Sequence, residues 1–502
     1  MENKIIILPG TPDDDNREYL PESIIGTDLV VNENGNNSQP YPKRLEEHVG
    51  FMGNEFKNTW YEYVPERYDP SKKTPLVISN HGGLMTGWGQ CIYTSWTHVA
   101  DRDNVIVIFP SASAKRLWTL EGGVIEDRVN AQMPPEMVQN LADIDENCDV
   151  RFVKALIAYA CGKYNIDAER IFMQGMSNGS MFTAQFEKYF GNMLAGGANS
   201  GGSTPNLRQI YEEDMTVKNV GGPTPVWHSV PETNGCPPWC EFDDNTCYKY
   251  ARLYWLTVNE CDNIPEISIV GEHNMAFYKG KKADYVYMDI KNRDHGQTLD
   301  EACVVWDYFF SGLRRKSDGA VVDEGPRIAR KGDAFGIAVA DGAAKAWFGN
   351  AVVDMGMPAI KWQKLKYHGL NGGQKVKGEY LTVPLSFIAE CFQAACSYSD
   401  DTLSAALRLA DGRTLQFARG SIGCVIENDL RSMYCEAIHR NGELYISLEW
   451  FARFVMNLTA TRFEDVLYVT DHHAELSDTF AALIRDLLTG DYELRQLDWP
   501  KL

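Results

Sequence analysis

Two shortages narrow the chemistry of this chain. Basic residues are few: 48 lysines and arginines stand against 69 acidic residues, a net charge of −21 at pH 7. Nucleic acids and anionic membranes recruit basic patches, so neither is an expected partner, and the acidity fits solubility and a neutral substrate. Long apolar runs are also missing. None reaches the roughly 18 residues a spanning helix needs. The opening Met-Glu-Asn-Lys-Ile-Ile-Ile-Leu-Pro holds too short an apolar core for a signal peptide, so a cytoplasmic protein is expected, with a secreted or cell-surface one as the alternative. Paired zinc knuckles are absent as well. Most of the twelve cysteines stand singly in apolar surroundings (Cys161, Cys303, Cys391, Cys424), as reduced buried thiols do. The exception is Cys236-Pro-Pro-Trp-Cys240 running on to Cys247, whose spacing suits a loop disulfide better than a metal; the redox state of these and of Cys261 stays open.

With 502 residues, 44% of them hydrophobic and 23% charged, the chain is globular and long enough for two or three domains. Its organising stretch is Arg170-Ile-Phe-Met-Gln-Gly175-Met-Ser177-Asn-Gly179-Ser-Met-Phe182. An apolar strand runs into a Gly-x-Ser-x-Gly turn and then a helix, the context a nucleophilic serine requires. The glycines let the turn close, and the helix N-terminus favours negative charge beside the hydroxyl.

Around it, apolar runs alternate with helical faces. Pro75–Ser79, Asn104–Phe109, Thr224–His228 and Tyr285–Ile290 read as strands, and Ser95–Asp101, Asp143–Lys163 and Glu301–Gly312 as helices. That alternation predicts an α/β domain with a doubly wound, mostly parallel sheet, whose reactive groups sit on loops after the strands. Residues 1–45 read as a polar arm, 46–314 as the catalytic domain, 315–326 as a linker and 327–502 as a small α+β repeat module. In that module Gly378–Glu390 resembles Gly442–Arg453, each a strand running into a short helix.

A serine hydroxyl needs a base, and the base an acid to orient it. His295, in a polar loop just before the closing helix, is the expected base. Glu232, after the strand ending at His228, is the expected acid, with Asp243 and Asp244 as competitors. His273 reads as a solvated turn. Oxyanion donors are expected from the backbone of Gly83 and Asn178, each worth roughly 3 to 4 kcal/mol in the transition state. His81, Gly82, Trp227 and His228 are expected to line the substrate. No metal or cofactor is expected, since adjacent histidines such as His472 and His473 rarely ligate one ion.

With these residues placed, 60–312 resembles the polyhydroxybutyrate depolymerase and feruloyl esterase branch of the α/β-hydrolases. The likeness rests on Pro75–Gly83, Asp149–Gly179, Pro225–Glu232 and Asp294-His295. It implies a serine esterase acting through an acyl-enzyme on small or polymer-linked feruloyl, acetyl or hydroxyalkanoate esters. Ser229 and Glu232 depart from that family's usual glycine and aspartate. An inactive hydrolase fold serving as a polysaccharide-binding protein, or a serine peptidase, are the other readings. The module is similar to the copper-amine-oxidase N-terminal-like domain, on Val383–Glu390 and Ile446–Ala452. That likeness implies a binding or spacer role, with polysaccharide contact, and no copper.

Overall fold

Apolar runs without alternation become strands buried on both faces, and the computed structural model shows where they lie. It describes residues 4–5, 44–113, 116–121, 138–139, 143–202, 207–233, 243–368, 373–490 and 492. The chain forms two units. One comprises Met1–Asn263, Ala276–Lys331 and Leu494–Leu502; the other comprises Ile264–Met275 and Gly332–Glu493. Apart from residues 4, 5, 44 and 45, the expected arm lies outside the described residues.

In the first unit eight strands matter for the site: β1 (Leu45–Phe51), β2 (Lys57–Tyr63), β3 (Thr74–Asn80), β4 (Ile106–Pro110), β5 (Ile166–Met176), β6 (Gly196–Ser200), β7 (Val226–Thr233) and β8 (Tyr285–Asp294). They are ordered β1-β2-β4-β3-β5-β6-β7-β8 within one sheet. From β4 to β8 every pairing is parallel, while β1 and β2 form an antiparallel edge. Leu76, Val77 and Ile78 on β3 have no exposed surface, as a strand covered on both faces should. The chain steps outward from β3 to β4, then returns past β3 to β5. The order reverses between β3 and β5, the place at the strands' carboxyl ends where open α/β sheets bind ligands.

Helices connect the strands: α1 (Gly87–Tyr93), α2 (Trp96–Asp103), α3 (Cys148–Lys163), α4 (Asn178–Phe190), α5 (Asp244–Val258) and α6 (Glu301–Tyr308). Asn147 caps α3, its Oδ1 accepting from Asp149 N at 3.0 Å and Val150 N at 3.2 Å. Val150, Val153, Leu156 and Ala160 form the buried face of α3, packed with Phe182 and Phe186 of α4 in one core. Buried Asp149 accepts from Ser113 N and Thr119 N, both at 2.8 Å, and so anchors the segment that carries Trp118.

Two sequence expectations shift here. The strand expected to stop at His228 continues to Thr233, because Pro231 still pairs with Ile290 of β8. The expected linker is not a free one. Leu313–Arg315 and Val321–Asp323 pair as an antiparallel ribbon, and Arg315 is buried, donating to the carbonyl of Pro223 at 2.9 Å.

In the second unit the repeated segments become strand-then-helix pairs, Gly373–Pro384 with Leu385–Cys391 and Glu443–Ser447 with Leu448–Trp450. The two strands are hydrogen-bonded neighbours in one sheet, Val383 opposite Ile446, so the two copies of the repeat pair side by side. His472 and His473 do not converge. His472 donates through Nε2 to the carbonyl of Ile269, and His473 lies beside Glu475.

Candidate active site

Ser177 follows β5 at the order reversal and holds φ 53° and ψ −120°. A non-glycine residue in that region is strained by about 1 to 3 kcal/mol, and such strain collects where a side chain must be aimed. Its N–H donates to Ser200 O at 2.8 Å, which fixes the turn. The flanking glycines are obligatory: a Cβ on Gly175 would sit 2.1 Å from Gly179 O, and one on Gly179 would sit 2.4 Å from His81 O. Although Ser177 is the N-cap of α4, its side chain caps nothing. The hydroxyl instead meets His295, with Nε2 2.8 Å from Oγ. The loop that carries His295 is set by a bulge in β8 between Ile290 and Asp294, with Asn292 at φ 59°.

Gly83 lies against the start of α4; a Cβ on it would be 3.6 Å from Asn178 Cβ. Neither the Gly83 nor the Asn178 backbone N–H has an acceptor among the described residues. The Asn178 side chain is already occupied, its Oδ1 accepting from Trp118 N at 2.7 Å. Leu84, at φ 64°, donates its N–H to Arg116 O at 2.8 Å and holds the loop in place.

Four residues expected to line the substrate are turned inward instead. His81 is fully buried; its Nε2 accepts from Ala112 N at 2.9 Å, so Nδ1–H donates to Gly82 O at 2.6 Å. Burial lowers its pKa to about 4, which keeps the ring neutral. Gly82 is buried too, and its carbonyl also accepts from Met85 N at 3.2 Å. Trp227 has no exposed surface and donates to Ser229 Oγ at 2.9 Å. His228 is buried, donates through Nε2 to Gly202 O at 3.1 Å, and is lowered by burial to about 4. These four shape the loops and do not offer side chains to a ligand. On the central strands both faces are covered, so even alternate residues such as Trp227 and His228 go inside.

Glu232 grips the strand end that carries His295: Oε1 pairs with Lys291 Nζ at 2.6 Å and Oε2 accepts from Asn292 N at 2.9 Å. Asp243 is spent as the N-cap of α5, accepting from Thr246 N at 3.0 Å. The side chain of Asp244 lies outside the described residues, as do Cys236 and Cys240; Cys261 is a free thiol. His273 begins the strand His273–Tyr278 rather than a turn. Glu232→Gln, which keeps an acceptor for Asn292 N but gives up the charge facing Lys291, is expected to lower kcat by on the order of 10- to 100-fold with KM little changed. Steady-state kinetics check this. A fall near 10⁴-fold would mark a carboxylate acting on the imidazole itself, and no fall would reduce Glu232 to a surface ion pair.

The sequence reading missed a buried polar cluster beneath the turn: Gln174, Ser200, Gln297 and Glu301, all with 1% exposure or less. The signal was Gln174 itself, a polar residue ending the apolar run Ile171-Phe172-Met173. Burial pushes Glu301 up to about 7, against hydrogen bonds from Ser200 and Ser229 that pull it down. No group of three or more metal-ligating side chains occurs among the described residues, and none of their helices is long and apolar enough to cross a membrane.

No family model matches the chain. A bifunctional acetylxylan esterase/xylanase of Neocallimastix patriciarum is 24% identical over 167 residues, 33% of this chain and 20% of its own, so the chain spans about one fifth of that curated relative. Among solved structures, an acetyl xylan esterase from Aspergillus awamori matches over 52% of this chain and 97% of that one, at 15% identity and TM-score 0.37. A feruloyl esterase module from Clostridium thermocellum matches over 52% and 85%, at 12% identity and TM-score 0.32.

Proposed function

We propose that this chain is a serine carboxylic-ester hydrolase. The observation that carries the reading is the 2.8 Å contact between His295 Nε2 and Ser177 Oγ at a strained turn. Beside that turn two backbone N–H groups stand without acceptors among the described residues.

In the reaction, Ser177 Oγ attacks the ester carbonyl carbon while His295 Nε2 takes its proton. Negative charge gathers on the carbonyl oxygen between the Gly83 and Asn178 N–H groups and the N-terminus of α4. The tetrahedral species collapses, the alcohol leaves with the proton from His295, and an acyl-serine remains. Water, deprotonated by the same imidazole, attacks the acyl carbon and releases the acid. Glu232 acts through Lys291 and Asn292 to hold the base loop. Besides the ester and water, the steps use only groups of the chain.

The name of the curated relative makes acetylated sugar esters the first substrates to try, with feruloyl and hydroxyalkanoate esters beside them. For the second unit the reading stays a binding or spacer module. The reading is tested by incubating the protein with a fluorophosphonate and measuring intact mass and peptide mass. One adduct on Ser177, lost when the histidine is changed in His295→Ala, is the expected result. An unlabelled wild-type protein would leave the fold as a binding protein.

A further inference from the structure

Gln174 sits on β5, three residues before Ser177, with no exposed surface. Its Oε1 accepts from Ser79 Oγ at 2.8 Å, Trp96 Nε1 at 3.1 Å and Gln90 Nε2 at 3.3 Å. Its Nε2 donates to Ser200 Oγ at 3.2 Å and Gln297 Oε1 at 3.2 Å. The orientation of the amide is not arbitrary. An indole nitrogen can only donate, so Trp96 makes the facing atom the oxygen and leaves Nε2 for the other two partners.

Three of these five partners belong to different parts of the site. Ser79 is on β3, just before the loop that carries Gly83. Ser200 is the residue whose carbonyl accepts the Ser177 N–H. Gln297 lies two residues beyond His295. The polarity continues outward. Having accepted from Gln174, Ser200 Oγ turns its own hydrogen to Glu301 Oε1. On the far side Trp227 Nε1 donates to Ser229 Oγ at 2.9 Å. The donor-only Trp96 indole thus sets the direction of a chain that runs through Gln174 and Ser200 to the Glu301 carboxylate at the start of α6.

We propose that Gln174 is a positioning residue whose amide holds the oxyanion loop, the nucleophile turn and the base loop in one register. This rests on the reading of Ser177 and His295 as the reacting pair. The neighbours of Gln174 on β5 show why packing alone is a poor account. Phe172 and Met173 fill the strand with apolar bulk and are equally buried. A polar side chain there must be matched on every atom or it costs stability. Of the matching partners, Ser79, Ser200 and Gln297 adjoin the three loops, while Gln90 and Trp96 lie on α1 and α2. Displacing one loop by about 1 Å is enough to lower a rate 100-fold.

The test compares wild type with Gln174→Glu, which keeps the size and the acceptor face toward Ser79 and Trp96 but removes the donor to Ser200 and Gln297. Gln297→Met, which cuts the link from Gln174 to the base loop, is the second variant. kcat and KM on p-nitrophenyl acetate, the rate of fluorophosphonate labelling of Ser177, and Tm are measured for each. The expected result is a fall in kcat of about 10- to 100-fold for Gln174→Glu, with KM within about twofold. A smaller fall in the same direction is expected for Gln297→Met, and labelling rates should drop in parallel with kcat. Wild-type kcat and labelling in a folded Gln174→Glu overturns the proposal, as does a change confined to KM or Tm. If Gln174→Glu does not fold, Gln297→Met decides by the same criteria. Ser177→Ala keeps the two readings apart. Full activity in that variant sinks the esterase itself. An essential Ser177 with wild-type kcat in the Gln174 and Gln297 variants sinks only the positioning role.

Discussion

Replacing Ser177 with alanine is expected to lower kcat on p-nitrophenyl acetate by at least on the order of 10⁴-fold while Tm stays near that of wild type. Both halves follow from the turn. The hydroxyl caps no helix and its contact with His295 is the one the proposed reaction uses, so alanine would remove the proposed nucleophile and little else. The backbone bond from residue 177 to Ser200 O does not depend on the side chain. Alanine strains φ 53° no more than serine does, because the penalty comes from the Cβ both share. His295→Ala is expected to fall by a similar factor. The double variant should be little worse than either single one, because the two groups act as a unit in one proton transfer. Rates unchanged in both single variants would leave a hydrolase fold that binds and does not cut.

The pairing of Ser177 with His295 was legible because motif and order along the chain carry it: a glycine-flanked serine after an apolar strand, and a histidine in the polar stretch before the closing helix. What could not be read was where nearby side chains point. His81 and His228 sit where a substrate-lining residue would, yet each ring is consumed by the backbone it supports, Ala112 and Gly82 for one and Gly202 for the other. Those partners are distant in sequence and no local pattern announces them. Glu232 was expected on a loop after a strand ending at His228, and local preference keeps proline out of central strands. The parallel pairing of Pro231 with Ile290 overrides that local preference and carries β7 on to Thr233. Gln174 was hidden inside a motif whose serine drew the attention, though a buried amide among apolar neighbours is itself a signal. In the second unit the similarity of Gly378–Glu390 to Gly442–Arg453 was visible. That the two copies pair with each other was not, because register is set by tertiary contact rather than by either segment alone.

Gly179→Ala is expected to destabilise the first unit by about 2 to 4 kcal/mol and to cost at least 100-fold in kcat. Local preference points the other way. Gly179 is the second residue of α4, and alanine in a helix is favoured over glycine by roughly 1 kcal/mol. The steric term is larger. The new Cβ would lie 2.4 Å from His81 O and 2.5 Å from Asn80 O. These are backbone atoms and cannot swing aside as a flexible side chain would. Asn80 is moreover tied to α4 through its Nδ2 and Thr183 Oγ1 at 2.9 Å, so α4 and the end of β3 would have to part. That motion opens the gap between Asn178 and Gly83, where the oxyanion is to be held. Gly162→Ala is the matched control. It lies in α3 with nothing within 4 Å of the added Cβ, so propensity acts alone and a gain of about 0.5 to 1 kcal/mol is expected with kcat unchanged. Urea unfolding and steady-state rates on both variants read the two signs. A Gly179→Ala protein as stable and as active as wild type would mean that the close approach of α4 to the oxyanion loop is not what holds this site together.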